Sequence, residues 1–124
     1  MITGVGIDII EVERVASKIG KEQGFREMVF SKEEIDYCES KTHKFEHYAA
    51  RFAAKEAFFK ALGTGWAKGT AFNEINIFNN ELGKPEITLI GETANTLQHL
   101  QDSKINISLS HLKNIAAAIV VIEE

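Results

Sequence analysis

Proline and cysteine are nearly missing from this chain. A single proline in 124 residues, with no Ser/Gly-rich tract in its place, leaves no linker, so one domain over residues 1–124 is expected. The lone cysteine, Cys38, excludes an internal disulfide and supplies too few thiols for a Cys-based zinc site. That usage fits a reducing, cytoplasmic setting. Excess positive charge is missing as well. A net charge of −4 argues against nucleic acid as the partner. Long apolar runs are absent: the longest, IAAAIVVI at 115–122, is far short of the roughly 20 residues a bilayer span needs. The opening MITGVGIDII carries no basic segment and reads as a strand, not a secretion signal. There is no internal repeat. What is present is an ordinary globular mixture, 44% hydrophobic and 26% charged, long enough to bury one real core.

The apolar pattern alternates between the two regular periods. TGVGIDII (3–10) is a buried strand, and Val12, Val15, Ala16 and Ile19 recur at helical spacing to about Lys21, with Gly20 and Gly24 where that helix stops. FSKEEI (30–35) holds a helix start: Ser31 caps, Glu34 completes a capping box, and the helix runs to about Ser40. A long helix spans about His47 to Leu62, ended by Gly63 in a left-handed conformation. The glycine-rich loop GTGWAKGT follows. NEINIF (73–78) and PEITLI (85–90) form a hairpin turning at Gly83, and ETANTLQHLQ (92–101) is an amphipathic helix through Ala94, Leu97 and Leu100. INISLSH (105–111) and IAAAIVVI make a last hairpin. The fold class expected is α+β, a mainly antiparallel sheet packed against helices.

Charges stand in costly places on this pattern. Asp8 lies among apolar neighbours, where a carboxylate must reach solvent, a cation or a metal. On the long helix, Tyr48, Phe52, Phe59 and Leu62 form one stripe and Ala50, Ala54, Ala57 and Ala61 an opposite face of small residues. Glu56 and Lys60 share the gap between them at i and i+4, which an intrahelical ion pair would also explain. Lys55 falls within the aromatic stripe and Arg51 at its edge, so each either snorkels outward or serves a polar pocket. His111 ends the strand that carries Ser108 and Ser110. Two carboxylates without thiols suit a hard cation such as Mg²⁺, and Lys60 with the backbone of GTG could hold a phosphorylated ligand. GTG is not a P-loop, because the helix precedes it and no GK[ST] follows. The residues alone thus define a metal-assisted enzyme acting on a phosphate or pyrophosphate compound.

The ordered set GIDIIEVERV, FSKEE, RFAAKEAFFKALGTG and SLSH resembles the 4′-phosphopantetheinyl transferase superfamily, in its short acyl-carrier-protein synthase type, over essentially the whole chain. The resemblance implies that family's α+β fold. It also implies transfer of the 4′-phosphopantetheine arm of coenzyme A to a serine of apo acyl carrier protein, releasing adenosine 3′,5′-bisphosphate. Asp8 and Glu56 match the family's Mg²⁺ ligands and Lys60 the lysine beside the phosphates. Three groups are candidate acceptors of the serine proton: a metal-held water, Glu56 and Asp8. His111 and Ser110 align with contacts to the nucleotide end of coenzyme A, joined by Gly63, Gly65, Arg51 and Lys55. Arg14, Lys18, Lys21, Phe25 and Arg26 form the face expected to dock the acidic carrier protein, although Glu22 and Gly24 depart from the family's more basic pattern. The family also implies a homotrimer with active sites between protomers, and no nucleic-acid or membrane partner. Two other classes compete with this reading. A thioester hydrolase using coenzyme A would not need the metal. A non-catalytic carrier-protein-binding module would have no use for Asp8, Glu56 and Lys60.

Overall fold

Glycine at two inward positions lets the first strand lie directly on the long helix. In the computed structural model, which describes residues 1–124, β1 (Ile2–Glu11) is followed by α1 (Val12–Lys21), α2 (Phe25–Val29), α3 (Lys32–Glu39) and α4 (Lys44–Leu62). A 3₁₀ turn (Phe72–Glu74) then leads into β2 (Ile75–Asn79), β3 (Pro85–Leu89), α5 (Gly91–Thr96), a second 3₁₀ turn (Gln98–Leu100), β4 (Lys104–His111) and β5 (Ile115–Glu123). A Cβ at Gly4 or Gly6 would overlap the carbonyl oxygens of Ala61 or Ala57, so the small face of α4 meets bare backbone. Strand alternation then sends Asp8 and Ile10 toward the helix and Val5, Ile7 and Ile9 outward.

The sheet order is β1-β5-β4, antiparallel throughout, with Asp8 opposite Ala118 and His111 opposite Ala116. β2 and β3 pair separately as a hairpin whose turn uses Gly83 at φ 85°. Two apolar clusters lie along α4. One gathers Phe58, Phe59, Ile75, Ile77 and Val120; the other gathers Val15, Phe30, Cys38 and Tyr48. Helices on an antiparallel sheet give the expected α+β class.

Most elements fall where the pattern puts them, and the departures have local causes. The capping box is formed, with the Ser31 hydroxyl accepting from Glu34 N–H at 3.1 Å and Glu34 accepting from Ser31 N–H at 2.7 Å. Gly63 closes α4 at φ 80°. That helix starts three residues before the expected His47, at Lys44, because Lys44 reaches Glu39 (3.2 Å) and Phe45 packs on Tyr48. The helix expected over 92–101 is broken. Leu97 leaves helical geometry (φ −104°, ψ 29°), and Thr93 upstream is tethered to Glu74 through both its hydroxyl and its N–H. Thr and Asn hold helices weakly, so burial of Leu97 and Leu100 is met by a 3₁₀ turn instead. The five-residue α2 has no sequence-level expectation; Gly24 at φ 83° reverses the chain so that Val29 can be buried.

Candidate active site

β1 and α4 bring Asp8, Glu56 and Lys60 to one spot. Lys60 does not pair with Glu56 along its own helix. Its ammonium donates across to Asp8 Oδ1 and to the Ile7 carbonyl, both at 3.0 Å. Asp8 is mostly covered and Lys60 half exposed, so the pair sits at the rim of the packed interface. Glu56 is half-buried beside them. Burial first, and the Asp8 carboxylate second, push its carboxyl above the ordinary range, only partly offset by Lys60 and by Lys18 reaching over from α1. Two neighbouring carboxylates of which one is held back from ionising form a site short of positive charge. Their donors are all oxygens, and Cys38 is buried elsewhere with its thiol pushed up to about 12 by burial, so a hard divalent cation fits this pair.

Arg51 and His111 meet in a second place, a cavity of about 190 Å³ lined by Tyr37, His47, Arg51, Asn79, Pro85 and His111. Arg51 is 2% exposed, with its guanidinium carbon 4.1 Å from the Tyr37 ring centroid. Its Nε and Nη2 are buried without a hydrogen-bond partner. His111 Nδ1 lies 2.8 Å from Glu46 Oε1; an ionised carboxylate can only accept, so the ring nitrogen donates. A buried guanidinium with no carboxylate within ion-pair distance leaves a positive charge uncompensated inside the chain.

Lys55 requires a correction. Expected at the phosphates, it has no accessible side-chain surface. Its ammonium bonds Glu34 Oε1 at 2.8 Å and the carbonyls of Phe72 and Ile75 at 2.7 and 2.6 Å, which uses all three donors. Burial lowers the ammonium to about 8, with Glu34 holding it up. Glu34, also fully buried, takes Ile77 N–H at 2.9 Å on its other oxygen. This pair nails the start of β2 to α3 and α4 and has nothing left for a ligand.

Ser110 is not brought to the Arg51 cavity. It lies exposed on the opposite face of β4, in a shallow groove with Ile7 and Ile119. Gly63 and Gly65 stand in open space at the end of α4, with positive φ. On the helical face expected to meet the carrier protein, Arg14 and Lys21 are exposed and Lys18 lies 5.6 Å from the Phe25 ring. Arg26 is already paired, with Glu27 at 2.7 Å and Glu39 at 3.3 Å, so its charge is largely spent inside the chain. Tyr37, Glu46, His47 and Asn79 were missed from the sequence. Only Glu46 and His47 carried a signal, as neighbours one turn before Arg51 on the same helix.

The two places lie on opposite sides of α4. Nine residues separate Arg51 from Lys60, about 180° around the helix and about 13 Å along it. Helix, sheet and these two clusters point to a class. The model of the 4′-phosphopantetheinyl transferase superfamily matches residues 4–120, and the chain belongs to that family and is an enzyme of it. A holo-[acyl-carrier-protein] synthase of Cytophaga hutchinsonii is 46% identical over 98% of this chain and 97% of its own. One from Ruminiclostridium cellulolyticum is 48% identical over 95% and 90%. The crystal structure of the Neisseria meningitidis holo-[acyl-carrier-protein] synthase superposes with a TM-score of 0.89 at 33% identity, covering 100% of both chains. The Bacillus anthracis synthase in complex with coenzyme A (3′,5′-ADP) gives 0.82 at 35%, covering 100% of this chain and 98% of that one.

Proposed function

We propose that Asp8, Glu56 and Lys60 form the reacting end of a holo-[acyl-carrier-protein] synthase site, and Arg51 with His111 the end that grips the nucleotide of coenzyme A. In the reaction, the acceptor serine oxygen of apo acyl carrier protein bonds to the phosphorus that carries pantetheine. The bond from that phosphorus to adenosine 3′,5′-bisphosphate breaks. The relatives' names and the coenzyme A complex of the Bacillus anthracis synthase support this chemistry. The observation that carries the assignment is the ion pair of Lys60 with Asp8 beside a Glu56 held above the usual carboxylate range.

Asp8 and Glu56 would hold Mg²⁺. When bound, the ion supplies a Lewis acid and a template for the pyrophosphate. Lys60, half exposed at the rim, turns from Asp8 to the leaving phosphate and stabilises its charge. Glu56, reaching through a water, is placed to receive the serine proton. The exposed Arg14 and Lys21, with Lys18 and Phe25, dock the acidic carrier protein next to this end.

The split across α4 supports a composite site. α4 and the cores packed along it stand between the two places, so Arg51 of one protomer serves the Asp8–Glu56–Lys60 cluster of its neighbour. Val5, Ile7 and Ile9 support the same assembly. Ile7 and Ile9 are 65% and 68% exposed on β1, an apolar face continuing into Ile119 of β5, and a homotrimer would cover it. The whole chain, 1–124, then acts as one catalytic domain, in the cytoplasm where its substrates are. No helix is long and apolar enough to cross a membrane.

The test is incubation with coenzyme A, apo acyl carrier protein and Mg²⁺, with and without EDTA, read by mass spectrometry for the added arm. A gain of the arm that EDTA prevents is expected; an arm added equally with EDTA would overturn the metal assignment. Glu56→Gln should abolish transfer while keeping the fold. The sign follows from the raised carboxyl: its contribution to stability is complete below the ordinary carboxylate range and is lost as pH rises and the group ionises in its buried place. At neutral pH the amide should therefore match or exceed wild type in Tm. A melted variant would make Glu56 structural.

A further inference from the structure

The Arg51 cavity is surrounded by more positive groups than its two named residues. His47 stands one turn before Arg51 on α4, with its ring edge-on to His111 at 5.1 Å and to Tyr37 at 5.7 Å between centroids. No hydrogen bond inside the chain occupies it. The titratable and charged groups facing it are Tyr37 on α3, Lys41 in the loop after α3, Glu46 and Arg51 on α4, and His111 on β4, while β2 and β3 line the cavity only with Asn79 and Pro85. The Lys41 ammonium sits 4.7 Å from the Tyr37 ring centroid, and the Tyr37 hydroxyl accepts from Asn79 at 3.0 Å. Glu46 is the single carboxylate, and it is bound to His111. The cavity thus holds a guanidinium that lacks a partner, an imidazole tied to its only anion, and a second imidazole that is free.

We propose that His47 is a third anion-binding group of this cavity, acting with Arg51 and His111, and that it takes up a proton from solvent as a phosphate of the nucleotide enters. Without ligand, burial first, then His111, Arg51 and Lys41, hold the His47 ring below its ordinary value and so favour its neutral form. An entering phosphate reverses that field, since an opposite charge close by favours the protonated ring. Nucleotide binding and proton uptake are then linked: affinity is highest where the bound ring is protonated and falls as pH rises through the ring's value in the complex. This makes His47 a specificity residue for a phosphorylated nucleoside, and it rests on the reading of this cavity as the nucleotide end of coenzyme A.

The experiment is calorimetric titration of the full chain with adenosine 3′,5′-bisphosphate at pH 7, in two buffers of different ionisation enthalpy. Wild type is compared with His47→Phe, which keeps an aromatic ring against Tyr37, and with His111→Gln and Arg51→Ala. Wild type should take up a substantial fraction of a proton and bind several-fold more weakly at pH 8 than at pH 6. His47→Phe should lose the uptake and the pH slope, whereas His111→Gln should keep much of the uptake. Equal uptake in wild type and His47→Phe would overturn the proposal. NMR titration of the His47 ring in wild type gives a second measure free of any substitution: its midpoint should rise when the nucleotide is added, and an unmoved midpoint would also overturn it. Arg51→Ala separates the two readings. If that variant binds the nucleotide as well as wild type does, the cavity is not the nucleotide end; if its binding collapses while proton uptake never depended on His47, only the role of His47 fails.

Discussion

Lys55 shows how little a single charged residue discloses before its partner is known. Its position in the aromatic stripe marked it as either outward-reaching or held in a polar pocket, and the pocket turned out to be built by Glu34 and two backbone carbonyls. Glu34 was legible in part: its capping-box role is local in sequence and was read from Ser31 three residues before it. Its second role spans 21 positions to Lys55 and had no local signal. Asp8 and Lys60 stood out as charges that an apolar strand or a two-faced helix cannot hold unaided, but their pairing across β1 and α4 had no local signal. The buried pair gives a direct test. Removing one partner strands the other charge, so Glu34→Gln and Lys55→Met should each cost about 3–5 kcal/mol in urea unfolding. The double variant should cost less than the sum of the two, by about 0.5–3 kcal/mol of coupling. Where the folded Lys55→Met protein is still populated, KM for coenzyme A should equal that of wild type. A KM raised tenfold would return Lys55 to the ligand.

At the scale of elements, the strand–helix contact carries the site. The stripe of small residues on α4 could be read from spacing, but its partner could not, because Gly4 and Gly6 lie more than fifty positions from the Ala61 and Ala57 they meet. Gly4 and Gly6 are the surface on which Ala57 and Ala61 rest, a role the reading of 3–10 as a buried strand did not include. The same contact sets how far Asp8 stands from Lys60. Gly6→Ala would force a methyl group against the Ala57 carbonyl, with only backbone there to yield. A loss of about 1–3 kcal/mol or more is expected from such overpacking. Activity of the protein that remains folded should fall as well, as β1 lifts and carries Asp8 with it. A variant as stable as wild type would mean that the strand is not seated so closely. Elements with strong periodicity or a formed cap were legible, α3 and α4 foremost. The short α2 and the broken end of α5 were not, since tertiary burial of Val29, Leu97 and Leu100 decides them.

At the scale of the molecule, the question is why the proposed site is divided between two faces of one helix. A single chain offers the carboxylates and Lys60 on one side and the unpartnered Arg51 on the other. It also leaves the apolar face of β1 exposed beside Asp8. A ring of protomers related by rotation meets both conditions at once, because each heterologous contact joins one face of a protomer to the other face of the next. Complementation between inactive chains tests that arrangement without a crystal. Glu56→Gln and Arg51→Ala should each be nearly inactive alone. After unfolding and refolding together in equal amounts, about one site in four should pair an intact Glu56 from one protomer with an intact Arg51 from its neighbour. Mass spectrometry of the carrier protein should then show transfer returning to about a quarter of the wild-type rate. If both residues serve the same site from one chain, no mixture can rebuild it, and the refolded sample will stay as inactive as its parents.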